Sequence, residues 1–275
     1  MRALWSLMSG EVTTMRRNLF SIIMVLTLVL TVTGYYLVPE TAHTAGAIAA
    51  GVSVELLEDL PVRLLGERRA PIGNRMNFII NLIVFEVLIL PFVFIAVNLF
   101  QEKQDGTIRA YRVTPGGTLR YVAAKVLLWT VLTILYGVLL LLLTVGWTLS
   151  MLSWAAMLLL FAVAGLFISG AGFFVALFFS NISGWFLPGI SVLLLSQLPI
   201  VSYLFPTFSP TWITWFPTYR LLYAVRDILT VGPVGRMAPH ATVGGALLYM
   251  AGLALAALAL ACVAADRRLM REARL

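Results

Sequence analysis

Between Lys125 and Arg220 the chain contains no Asp, Glu, Lys or Arg. Charged residues make up 11% of its 275 positions, against about 25% in an ordinary soluble domain. That is too little charge to clothe a water-facing surface around a chain that is 61% hydrophobic, so a soluble fold is excluded. The excess of basic residues, net +7, is therefore not read as a nucleic-acid footprint. The lone cysteine, Cys262, excludes an internal disulfide. Neither it nor the two histidines, His43 and His240, has a companion at metal-ligand spacing. Gly116-Gly117-Thr118 lacks the lysine and the spacing of a phosphate-binding loop. Ser169, Ser180 and Ser183 lie outside any hydrolase elbow. No catalytic, cofactor or metal site is expected in this chain. If the chain moves solutes uphill, the energy must come from an ion gradient or from a partner.

What the chain does have is long apolar runs. A helix needs about 20 mainly apolar residues to cross the hydrocarbon core. Six stretches qualify: 19–38, 78–100, 122–145, 153–179, 185–204 and 241–264. Their length favours helices, and the strict alternation of a membrane barrel strand is absent. The first run is longer than a signal-peptide core and ends in Gly34-Tyr35-Tyr36 without a small-residue cleavage site. It is read as a retained span. The expected fold is an all-α polytopic membrane protein, one transmembrane domain over 1–275.

With six spans, both termini and the 101–121 and 180–184 connections share one side. That side carries Arg2, Arg16, Arg17, Lys103, Arg109, Arg112, Arg120, Lys125, Arg267, Arg268, Arg271 and Arg274 against five acidic residues. The other side is nearly balanced. The positive-inside rule places the basic side, with both termini, in the cytoplasm. On the opposite side, the 39–75 loop has a helix-compatible stretch over 52–65. The 205–240 segment contains Tyr219-Arg220-Leu221-Leu222-Tyr223-Ala224-Val225-Arg226-Asp227-Ile228-Leu229. There Leu221, Leu222, Val225, Ile228 and Leu229 share one helical face, with Arg220, Arg226 and Asp227 on others. This predicts a helix lying along the interface or dipping partly inward.

The loop after the second run, Phe100 to Lys125, is longer than a simple return requires. Asp105 or Thr107 can cap a short helix carrying Ile108, Ala110 and Tyr111. Thr114 can cap a second one with Pro115 at its first position. Glu102, Gly106, Thr107, Ile108, Tyr111, Thr114, Pro115, Tyr121 and Lys125 follow the order E-x-x-x-G-T-[LI]-x-x-[LY]-x-x-[ST]-P then Y-x-x-x-K. This resembles the membrane subunit of ABC-2-type transporters. Glu11 and Arg16-Arg17-Asn18 before the first span, and Phe216 to Leu229 before the sixth, are similar to that family's amphipathic N-terminal helix and outer re-entrant helix. Within the family the chain is most similar to small bacterial drug-export permeases. Its Arg-containing first outer loop, Arg63 to Arg75, departs from polysaccharide exporters.

The resemblance implies a six-helix permease in the bacterial cytoplasmic membrane, paired with a second copy or a homologous permease. It also implies a cytoplasmic ABC ATPase dimer that holds ATP and Mg. Residues 102–118, with Glu102, Asp105, Gly106, Thr107, Arg109, Tyr111, Thr114 and Pro115, would form the coupling helix. Residues 5–18 would be a second contact, and 265–275 a cytoplasmic tail. The expected cargo is hydrophobic or amphipathic, a drug or a lipid-like molecule, and no nucleic acid is involved. Alternatives are a gradient-driven secondary transporter and a non-transporting scaffold in the lipid.

Glu86 is the one acidic or basic residue well inside a predicted span, where ionisable groups are costly and face protein or water. It is a candidate for the translocation route or subunit interface, with an internal hydrogen bond as the structural alternative. Asn81, the helix-bending Pro91 and Gln197 are weaker candidates for the same cavity. Gly165, Ser169 and Gly172 suit close helix packing. Arg220, Arg226 and Asp227 are expected to fix the outer helix.

Overall fold

The computed structural model describes residues 20–38, 74–106, 108, 117–204, 210–234 and 242–271. The expected N-terminal helix over 5–18, the stretch 52–65 and most of the coupling loop lie outside these residues. Hydrocarbon offers no partner to a backbone N–H or C=O, so a chain this apolar must satisfy them within helices. Eight α-helices are described: α1 Phe20–Leu37, α2 Asn74–Gln104, α3 Gly117–Thr144, α4 Met151–Ala176, α5 Ile182–Ser196, α6 Leu198–Leu204, α7 Pro217–Thr230 and α8 Val243–Arg271.

Among the described residues, five helical runs are long and apolar enough to cross a membrane: α2, α3, α4, the α5–α6 pair and α8. The protein is thus an all-α, multi-pass membrane protein. Helix α1 is apolar but shorter, 18 residues, or roughly 27 Å at 1.5 Å per residue. Side chains pointing away from the bundle are large and apolar, including Leu187, Leu194 and Leu248. That is the arrangement lipid demands and water forbids.

Local sequence explains where the helices stop. Gly106 and Gly146, just past the ends of α2 and α3, adopt φ of 69° and 68°. This left-handed geometry closes a helix C-terminus, and glycine enters it without a Cβ clash. Ser150 caps α4 by accepting from the Ser153 N–H at 3.1 Å. Asn181 caps α5 by accepting from the Gly184 N–H at 2.8 Å. The α5–α6 break lies beside Pro199, which brings no N–H. Ile200 N–H donates to Gln197 O at 2.9 Å rather than one residue further back. The Ser196 carbonyl so released accepts the Thr218 hydroxyl from α7 at 2.5 Å.

Helix α4 is the hub, packed on α8, α2 and α3. Its small residues allow this. A Cβ on Gly172 would sit 3.0 Å from the Phe92 Cα and carbonyl oxygen of α2, so only glycine lets the two backbones approach so closely beside Pro91. Helix α7, expected to lie along the interface or dip partly inward, is packed inside the bundle. Every residue from Leu221 to Leu229 is buried, against α8, α2, α4 and α6. Arg226 and Asp227, expected on faces away from the apolar stripe, are inside with it, 2% and 0% exposed. They tolerate burial because Arg226 Nη2 donates to Asp227 Oδ1 at 3.2 Å and its guanidinium lies over the Tyr223 ring at 4.9 Å.

Candidate functional site

Besides the Arg226–Asp227 pair, two polar clusters among the described residues interrupt the apolar bundle. The deeper one centres on Glu86, 3% exposed, in the middle of α2. Its Oε1 accepts from the Thr31 hydroxyl of α1. Its Oε2 accepts from the Tyr136 hydroxyl of α3 at 2.5 Å. Three helices meet through one carboxylate. Around it stand Met24, Leu90, Pro91, Trp129 and Leu132, with about 10 Å³ of free space, on the order of one water. In this conformation Glu86 ties α1 and α3 to α2 and has little free space beside it. Helix α1 packs on α2 and α3, and further polar clasps hold it. The Tyr36 hydroxyl donates to Leu143 O at 2.9 Å, and Arg75 Nε to Val38 O at 2.7 Å.

The other candidates from the cavity reading are spread along the bundle. Asn81 donates from its amide to Asn77 O at 2.7 Å, within its own helix. Asn77 in turn accepts the Tyr203 hydroxyl at 2.8 Å. Pro91 is buried beside Glu86. Gln197 sits at the α5–α6 break, buried, with neither amide atom hydrogen bonded among the described residues. Arg220 stacks over the Tyr249 ring at 4.3 Å, which ties the start of α7 to α8.

The second cluster lies where α2 and α3 meet the 101–121 turn. Glu102 accepts from both the Tyr121 hydroxyl and Lys125 Nζ, and Lys125 also donates to Asn98 Oδ1 at 2.7 Å. Lys125 is 3% exposed. Counting it among the loop charges is thus corrected: it is an interior ion, held because two acceptors compensate its lost hydration. A sequence signal for this exists. Asn98 and Glu102 are four apart on α2, Tyr121 and Lys125 four apart on α3, so each pair occupies one helical face and the hairpin brings the faces together. Lys103 Nζ adds a bond to Phe179 O at 2.6 Å, joining the end of α4.

Of the coupling-loop residues, Asp105 is exposed and Gly106 makes the left-handed turn already described. Ile108 is buried in the core. Thr107, Arg109, Tyr111, Thr114 and Pro115 lie outside the described residues. Among the described residues no group of three or more His, Cys, Asp or Glu is placed to hold a metal ion.

A comparison with curated proteins gives no match. Residues 60–263 match the ABC-2 family transporter proteins, and since this is most of the chain, the protein belongs to that family.

Proposed function

We propose that this chain is the membrane-spanning subunit of an ATP-driven exporter, with ATP hydrolysed by a separate cytoplasmic ATPase dimer. In this reading two permease subunits pair, both termini face the cytoplasm, and α1 supplies the sixth span. The cargo is hydrophobic or amphipathic, of the drug or lipid-like class. The observation that supports this best is the lock at the base of the α2–α3 hairpin. Asn98, Glu102, Tyr121 and Lys125 join the two helices where the turn leaves them, so a push on the turn moves both helices as one body. Helix α2 carries that motion to Glu86, and Glu86 to α1 and α3. Residues 102–118 are accordingly the element an ATPase would grip, with Gly106 setting the angle of exit.

The near absence of charge in the spans fits an apolar cargo, because an ionised one would find no compensation along the route. The test is copurification of the chain with an ATPase, then uptake of an uncharged fluorescent lipid-like probe into inverted vesicles. The expected result is uptake that requires ATP and persists when a protonophore collapses the proton gradient. Uptake driven by the gradient without ATP would instead establish a secondary transporter.

A further inference from the structure

A groove outside both polar clusters opens between the C-terminal ends of α4 and α8. It has a volume of about 560 Å³, within the ~300–1,000 Å³ usual for small-ligand sites. Phe174 and Phe178 form one wall, with their rings edge-to-face at 5.0 Å. Leu260, Val263 and Ala264 of α8 form the other, and Arg267 and Arg268 stand at the mouth. The spacing along α8 makes the groove amphipathic from end to end. Leu260, Ala264 and Arg268 follow one another at four-residue intervals, and so do Val263 and Arg267. Each guanidinium therefore sits one turn beyond an apolar residue of the same face.

The arginines are arranged to receive an anion. Arg268 Cζ lies 4.5 Å from the centroid of the Phe178 ring. The ring contact anchors the guanidinium, whose several N–H donors suit phosphate oxygens. The neighbouring acid, Asp266, is engaged elsewhere, accepting from the Thr118 hydroxyl of α3 at 3.3 Å. Among the described residues, neither Arg267 nor Arg268 has a carboxylate partner.

We propose that this groove binds an anionic phospholipid, its phosphate between Arg267 and Arg268 and an acyl chain along Phe174, Leu260 and Val263. The position selects a lipid over other anions. The walls belong to helices whose outer faces meet hydrocarbon, and the basic mouth falls where α8 passes from apolar residues to Asp266, Arg267 and Arg268. Only a ligand with a charged head and an apolar tail satisfies both ends. The site is separate from any coupling to ATP, so it stands or falls independently of the transport reading.

Native mass spectrometry of the purified full chain tests it, comparing phosphatidylglycerol with phosphatidylcholine of identical acyl chains. At about fivefold per guanidinium near the membrane surface, two arginines give about a 30-fold preference for the anionic lipid. One phosphatidylglycerol per chain should be retained. Arg267→Gln with Arg268→Gln should abolish the preference. Val263→Trp, which fills the groove and keeps the charge, should displace the lipid. Arg120→Gln, at the same end of the bundle but outside the groove, should change nothing. Equal retention of both lipids, displacement by inorganic phosphate alone, or loss of preference in Arg120→Gln as large as in the double variant would each overturn the proposal. Survival of binding in Val263→Trp would do the same.

Discussion

A lysine with 3% of its surface exposed inside an apolar bundle is tolerable only beside acceptors, and Lys125 has Asn98 and Glu102. Removing one member of such a pair is worse than removing both, because the survivor keeps its desolvation and loses its compensation. Lys125→Met should therefore destabilise the bundle by about 3–5 kcal/mol, and adding Glu102→Leu should restore much of that. Thermal unfolding in detergent reads both, and a double variant no more stable than the single one would show that the pair is not coupled. Glu86 calls for the opposite design. Glutamine retains one acceptor and adds two donors, so Thr31 and Tyr136 keep hydrogen-bond partners. Glu86→Gln should unfold near the wild-type temperature. If the ionisable group takes part in transport, uptake into vesicles should fall while the melt does not. Glu86 was legible in the sequence because a carboxylate midway along an apolar run has no water to turn to. Lys125 was not, because a lysine at the end of a run reads as an interfacial charge unless its partner on the other arm of the hairpin is known. Arg226 and Asp227 were hidden for a related reason: their compensation comes from each other and from Tyr223.

For the helices, length and apolarity were enough to mark the five runs among the described residues that are long and apolar enough to cross a membrane, while α1 is shorter. The extent of α7's burial was not legible: its pattern allowed an interfacial or a partly inward position, and α2, α4, α6 and α8 surround it. Burial of this kind is set by tertiary neighbours that a local pattern does not contain. How closely the helices approach was partly visible in the glycines. At Gly172 a side chain would strike the Phe92 backbone, so Gly172→Leu should cost about 1–3 kcal/mol or more by overpacking. Gly252 of α8 has nothing within 4 Å of a Cβ position, so Gly252→Ala should be neutral or stabilising by about 0.4–1 kcal/mol. Equal melting shifts for the two variants would count against the packing account. Thr218→Val supplies a third comparison. It withdraws the hydroxyl that satisfies the Ser196 carbonyl at the α5–α6 break, and a buried acceptor left alone costs about 1–3 kcal/mol.

Across the whole molecule, contacts at the helix ends sort the chain into two poles. At one, Lys103 meets Phe179, Thr118 meets Asp266 and Arg268 covers Phe178. At the other, Tyr36 meets Leu143, Arg75 meets Val38 and Tyr249 meets Trp215. Successive spans therefore alternate in direction. Lys103, Arg120, Lys125, Arg267 and Arg268 gather at the first. Inserting the molecule the other way up would carry these cations across the membrane against its potential, at about 2.3 kcal/mol per charge per 100 mV. Lys125 and Glu102 cancel, so the loop-charge count that gives the expected orientation keeps the same net value. In a Cys262→Ala background, Ser180→Cys and Thr211→Cys place an exposed thiol at each pole. A membrane-impermeant maleimide should label Thr211→Cys in intact cells and Ser180→Cys only after inversion of the membrane. The reverse pattern would place the basic turn outside, beyond reach of any cytoplasmic ATPase, and the transport reading would fall with the orientation.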